Sequence, residues 1–320
     1  MHGGQALLRV IERNKIDTIV SSPGSEWPPV WEALADLTDQ GRSGPSFINC
    51  RHEALAVAVA AGYTKVTGRP QVVLLHATAG PLNAAMMLRA AYQERVPMVV
   101  CAGETIAFGE DHRLPDPGGQ WLHDRCDTGG PADMLRRCVK WSERIFSPSI
   151  LLPSLERAIQ ISQEPPAGPV LLSVPFELLM EEVQSSEYIR PNQAIRAVEI
   201  EEEAIQKASD MLLNASNPVV VTENSGRNPK ATDDLVELCE LLSIPVMESY
   251  RPAFLNFPRD HSLYLHYDRN TLEAADLIIM AGAVSPWYPA NKGPKPTTKV
   301  LLIDEEYPHT RLPYWGYEID

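Results

Sequence analysis

Three side chains with proton-transfer chemistry stand where an apolar run gives way to a helical pattern: Ser25 in "SSPGSEWPP", Glu53 in "RHEALAVAVAAGY" and His76 in "LLHATAG". A hydroxyl, a carboxylic acid and an imidazole at such joins could pass a proton between a bound ligand and water. An imidazole suits the task because its ordinary pKa lies close to working pH. Each has a plainer reading: Ser25 and His76 as polar residues that cap a turn, Glu53 as a helix-start acid stabilised by the positive end of the helix dipole.

Glu53 raises the sharpest question, because a carboxylate is costly to bury unpaired. The Ala- and Gly-rich run that follows it lets another backbone or a flat ligand approach closely. A dry surface of that kind disfavours the charged form of a carboxyl group and suits an acid that must share a proton.

Short β-branched runs alternate with helical patterns and must position these groups. The runs are "DTIVSS" from 17, "SFINC" from 46, "QVVLLH" from 71, "PMVVCA" from 97, "CVKWS" from 138 and "PVLLSV" from 169. The clearest helices lie between them, at 52–67 and 80–94. Continuous apolar strands with crossovers of this length predict a doubly wound, parallel α/β domain covered on both faces, over residues 1–185. The three candidates then fall at strand ends or helix starts, where open α/β sheets bind ligands.

A polar, weakly periodic stretch reads as a linker at 186–199. Beyond it, "NPVVVT", "IPVME", "DLIIMAG" and "KVLLID" alternate with helical patterns from 200 and 231, which predicts a second, Rossmann-like α/β domain over 200–320. "ATAGPLNAA" after the third strand lacks both GxGxxG and the Walker Lys-Ser/Thr, so it reads as a tight turn before a phosphate cradle.

The totals set bounds. With 320 residues, 44% of them hydrophobic, two domains with real cores are expected. The net charge of −14 and dispersed basic residues argue against nucleic acid as a partner. The start of the chain lacks a signal-peptide core, and no window approaches the length of a membrane span, so a cytoplasmic protein is expected. The five cysteines show no CxxC or zinc-type spacing, so reduced thiols and no protein-held metal are expected.

The order "PGS", "HE", "AGYTKVTGRP", "GPLNA" and "VPMVVCAGE" resembles the pyrimidine-binding domain of thiamine-diphosphate-dependent enzymes. The acetolactate synthase, benzoylformate decarboxylase and benzaldehyde lyase branch is the most similar. The likeness covers essentially the whole chain, with "PAGPVLLSVPFEL" as the domain exit and "NPVVVTENSG" to "KVLLIDEE" as the central domain.

This resemblance implies that Glu53 bonds N1′ of the cofactor's aminopyrimidine and so promotes loss of the thiazolium C2 proton. It also implies that Ser25 and His76 face the reacting carbonyl, and that Pro23, Gly24, Thr78, Gly80 and Asn83 line the cofactor with Glu53. Benzoylformate decarboxylase has a second active-site histidine in its central domain. The comparable stretch here, "GAVSPWYPANKG", has none and offers Trp287 and Tyr288 instead. The loop "ETIAFGEDHRLPDPGGQWLHDRCDTGG", with His112, Gln120, Trp121 and His123, is either solvated or a wall of the substrate site. "VVTENSGRNP" lacks a glycine pair for close approach to a pyrophosphate, which argues against FAD.

The family holds the diphosphate through Mg²⁺ on a Gly-Asp-Gly motif and a later Asn, and this sequence contains no Gly-Asp-Gly. The expectation is therefore a subunit of a split thiamine-diphosphate-dependent lyase or ligase that self-associates. A separate partner chain would supply the diphosphate and Mg²⁺ site, and the substrate would be a small carbonyl compound. Two other readings stay open: an acetolactate-synthase-like or 2-hydroxyacyl-CoA-lyase-like fragment of a longer chain, and a non-catalytic α/β binding or regulatory protein.

Overall fold

The structure, a computed structural model, describes residues 1–106, 111–116, 129–183, 200–249, 252–285, 287, 289, 293–306 and 318–320. Its internal contacts divide the chain into Met1–Ile195 and Arg196–Asp320. The stretch read as a linker, 186–199, lies outside the described residues.

In the first unit six strands form one parallel sheet: β1 (Thr18–Ser22), β2 (Ser46–Asn49), β3 (Gln71–Leu75), β4 (Met98–Glu104), β5 (Trp141–Arg144) and β6 (Pro169–Pro175), in the order β2-β1-β3-β4-β6-β5. The described helices are α1 (Gly3–Arg13), α2 (Pro28–Asp39), α3 (Glu53–Thr67), α4 (Ala79–Gln93), α5 (Gly130–Met134), α6 (Pro148–Gln163) and α7 (Phe176–Met180). Successive strand residues point to opposite faces. Ile19, Val72, Leu74, Val99, Cys101 and Leu172 pack with apolar residues of α1, α2, α6 and α7. Val20, Val73, Leu75 and Val100 are equally buried, on the face that α3 and α4 cover. Burial on both sides explains why these strands read as unbroken apolar runs.

Two expectations need correction. β2 is the sheet edge, and Ser46, Ile48 and Asn49 are exposed, so its run is not a doubly covered strand. The strand expected from residue 138 starts at Trp141. Residues 138–140 turn instead, because Cys138 N–H bonds Leu135 O and the Lys140 ammonium donates to the Ile161 and Glu164 carbonyls.

In the second unit β7 (Pro218–Thr222), β8 (Val246–Glu248), β9 (Leu277–Ala281) and β10 (Lys299–Ile303) form a parallel sheet in the order β10-β9-β7-β8. The described helices are α8 (Glu202–Asn214), α9 (Pro229–Leu242) and α10 (Arg269–Ala274). One apolar cluster includes Val219, Val221 and Ile278, and a second includes Val220, Ile279 and Cys239. Alternate residues of the same strands feed the two clusters, so this sheet too is covered on both faces. Among the described residues no helix is long and apolar enough to cross a membrane.

The sheets share a topological feature. From β1 the chain goes to β2 on one side and β3 on the other, and from β7 to β8 and β9. Such a reversal opens a crevice beyond the carboxyl ends of the two central strands.

Candidate active site

At the β1/β3 crevice the turn after β1 comprises Pro23, Gly24, Ser25, Glu26 and Trp27. Its far end is pinned by the buried Trp27, whose indole N–H donates to Leu75 O at 2.9 Å. Pro23 and Gly24 are half-buried and Ser25 is exposed. Glu26, which the sequence reading assigned no role, is only 1% exposed. Its Oε1 and Oε2 lie 2.7 and 3.0 Å from His76 Nδ1, and Oε1 also accepts from Ala77 N–H at 3.3 Å. His76 itself, directly after β3, keeps 27% of its side chain open.

Two glycines make room for this pair. A Cβ on Gly24 would lie 2.0 Å from His76 Nδ1 and 2.2 Å from Glu26 Oε2, and one on Gly103 in β4 would lie 2.5 Å from Glu26 Cγ. Gly24, expected to contact the cofactor, thus has a direct steric role in seating the acid and imidazole. The signal for Glu26 was an acid immediately after the candidate serine, in "SEWPP". Its register did not reveal that it turns inward.

Glu53 is the first residue of α3. His52 caps that helix by accepting from Ala54 N–H at 3.1 Å. Glu53 Oε2 accepts from the Asn83 amide at 3.2 Å and lies 4.0 Å from His52 Nδ1, and its side chain is 16% exposed. Oε1 is not engaged by any described residue. The start of α4 closes in alongside: a Cβ on buried Gly80 would meet Leu75 Cβ at 3.1 Å and Glu53 Cγ at 3.5 Å. Thr78, 5% exposed, carries a buried hydroxyl with no hydrogen-bond partner.

Glu53 thus presents one held and one open carboxylate oxygen beside the flush Gly80, an arrangement able to accept from a donor or share a proton with it. Glu53, Gly80 and Asn83 are therefore brought together by α3 and α4, and Thr78 immediately precedes α4. His76 and Ser25 lie on the turns of the β1/β3 crevice.

The remaining expectations fare differently. Gln120, Trp121, His123 and Tyr288 lie outside the described residues. Trp287 is buried in an apolar cluster of the second unit, and a Cβ on Gly293 would lie 2.5 Å from its indole nitrogen. Its indole packs in the core of that unit. His112 is exposed beside the Arg113–Asp111 ion pair. Among the described residues no group of three or more His, Cys, Asp and Glu is placed to hold a metal ion.

Comparison with known proteins bears directly on this arrangement. Residues 1–127 match the family model "Thiamine pyrophosphate enzyme, N-terminal TPP binding domain", and residues 205–312 match "Thiamine pyrophosphate enzyme, central domain". Benzoylformate decarboxylase of Pseudomonas aeruginosa is 27% identical over 292 residues, covering 87% of this chain and 51% of that protein. The mitochondrial acetolactate synthase catalytic subunit of Saccharomyces cerevisiae is 27% identical over 300 residues, covering 88% and 41%. A solved thiamine diphosphate-dependent 4-hydroxybenzoylformate decarboxylase of Rhodococcus jostii superposes with a TM-score of 0.78 at 22% identity, over 96% of this chain and 57% of that one. The chain thus spans about half the length of the relatives it matches.

Proposed function

The chain belongs to the thiamine pyrophosphate enzyme family, and on that premise we propose that it is the cofactor-activating subunit of a split carbon–carbon lyase or ligase acting on a 2-oxo acid or a related small carbonyl compound. The observation that carries this reading is the half-engaged carboxyl of Glu53 beside Asn83 and Gly80. These residues fit the aminopyrimidine half of thiamine diphosphate. When bound, that cofactor supplies a nucleophilic carbon and takes up the electron pair released at the substrate carbonyl.

The chain's own residues then have separable tasks. Glu53 holds a proton at the heterocycle through its open oxygen, while Asn83 keeps the other oxygen from rotating away. Gly80 lets the ring lie against the α4 backbone. His76, on the β1/β3 crevice, moves a proton to or from the reacting substrate, and Ser25 orients it.

In this reading a second polypeptide would supply the diphosphate and Mg²⁺ site. An exposed apolar stripe supports a docking partner on the site's own helices. Leu55 and Val66 on α3, and Leu82 and Met86 on α4, are 50%, 87%, 51% and 82% exposed, and Gly62 between them has open space above it. Apolar surface grouped on one face is a common mark of an interaction site. The length of the relatives favours a second reading, in which the same domain continues on a longer chain.

Calorimetric titration of this chain with thiamine diphosphate and Mg²⁺ tests the split site. Weak or absent binding is expected for the chain alone. Tight binding would overturn the division of the site between two polypeptides.

A further inference from the structure

The Glu26–His76 pair has a geometry that a simple structural tie does not need. Both carboxylate oxygens converge on one ring nitrogen, at 2.7 and 3.0 Å, and Ala77 N–H anchors Oε1 from the side at 3.3 Å. An ionised carboxylate only accepts hydrogen bonds, so the nitrogen facing it must carry a proton. In the neutral ring the other nitrogen is then an acceptor. We infer that Glu26 is a positioning residue that fixes His76 as the Nδ1–H tautomer and leaves the Nε2 lone pair on the opposite edge of the ring.

The surroundings are shaped for this purpose on two sides. Gly24 on the β1 turn and Gly103 in β4 each lack the one atom that would displace the pair. Glu26 is buried, whereas 27% of the His76 side chain is exposed. Burial of a carboxylate against a single imidazole and one amide carries a desolvation cost. That cost is offset by the charge-assisted bonds it makes, which are shorter and stronger than neutral ones. The tautomer follows from this geometry with Glu26 ionised. Its use as a proton acceptor and donor rests on the proposed function, in which His76 faces the substrate.

The test is a ¹H–¹⁵N correlation spectrum of the full chain labelled with ¹⁵N-histidine, with the His76 ring assigned by its loss in His76→Asn. At a pH where the ring is neutral, His76 should show a protonated Nδ1 and an acceptor-type Nε2. In Glu26→Gln, whose side chain has the same shape but can also donate, both tautomers should appear. Gly24→Ala, which leaves both partners in place but forces them apart, should have the same effect. A wild-type ring protonated at Nε2, or an unchanged single tautomer in both variants, would overturn the inference.

In the complete enzyme, Glu26→Gln should lower kcat at least in proportion to the Nδ1–H tautomer it loses, with cofactor affinity unchanged. A mixed tautomer with unchanged kcat would remove the positioning role. Full activity in His76→Ala would instead sink the placement of His76 in the proposed function, a different failure from that of the tautomer.

Discussion

The crevice between β1 and β3 and the one between β7 and β9 are built by the same chain reversal, yet their acids are differently employed. In the first unit Glu53 keeps an oxygen open, and Glu26 is bound to an imidazole that is itself part-exposed. In the second, Glu248 at the end of β8 accepts from Arg259 at 3.0 Å, Tyr264 at 2.7 Å and Asn256 at 3.2 Å, while Glu223 accepts from Val284 N–H at 3.1 Å. Burial, followed by the bond to Glu248, pushes the Tyr264 phenol up to about 12. The topology offers a crevice in both units, and only side chains decide whether it does chemistry or holds the fold together.

The largest expected effect that separates the units concerns assembly. If the proposed diphosphate-domain partner docks on this stripe, Leu82→Asp with Met86→Asp should weaken that association by at least ~3 kcal/mol, since each apolar side chain buried contributes about 1.5–3 kcal/mol. Leu213 and Leu241 of the second unit are as exposed. The same double charge there should leave association unchanged by analytical ultracentrifugation. Equal effects at both places would mean that the α3–α4 stripe is not the docking face.

Glu248→Ala should reverse the pattern, with little change in turnover per folded molecule. Urea unfolding of the second unit should lose about 1–3 kcal/mol, the cost of leaving buried hydrogen-bonding groups without a partner. A variant that loses turnover but keeps its unfolding midpoint would show that the β8 acid belongs to the chemistry.

A smaller effect is expected at Asp276, whose carboxylate accepts from Ser216 and Asn217 N–H at 2.7 and 2.9 Å and so ties the entry of β7 to that of β9. Burial pushes this carboxyl up, but the backbone amides outweigh it and hold it below the usual range. With the folded value depressed, its contribution is present above the unfolded value of about 3.9 and fades as pH falls through the folded one. Asp276→Ala should therefore cost about 1 kcal/mol at pH 7 and flatten the acid limb of the stability–pH curve. An unaltered acid limb would show that these amide bonds do not persist in solution.

The sequence made the strands legible largely because most of them are buried on two faces; nine of the ten were read with only their ends displaced, although the edge strand β2 is mostly exposed. The exception, at 138, failed because Lys140 turns back to cap carbonyls after α6, a contact distant in sequence. Glu53 was legible for a local reason, as an acid at the head of a helix rich in small residues. Its partner Asn83 followed only from resemblance. Glu26 was overlooked because nothing local distinguishes an inward from an outward acid in a turn. Its burial depends on Gly103, which lies in another strand. The burial of Trp287 in the cluster that includes Val219 and Ile278 was not legible either, because it depends on residues far away in sequence.

The central claim is that Glu53, through its one open oxygen, activates the cofactor. Its most direct test is the exchange rate of the C2 proton of thiamine diphosphate in the complete assembly, comparing wild type with Glu53→Gln. The account predicts near-normal cofactor affinity with exchange slowed by about 10²–10⁴-fold, the usual worth of a positioned proton-transfer group. Exchange at the wild-type rate in the variant would contradict it and return Glu53 to the role of a helix-start acid.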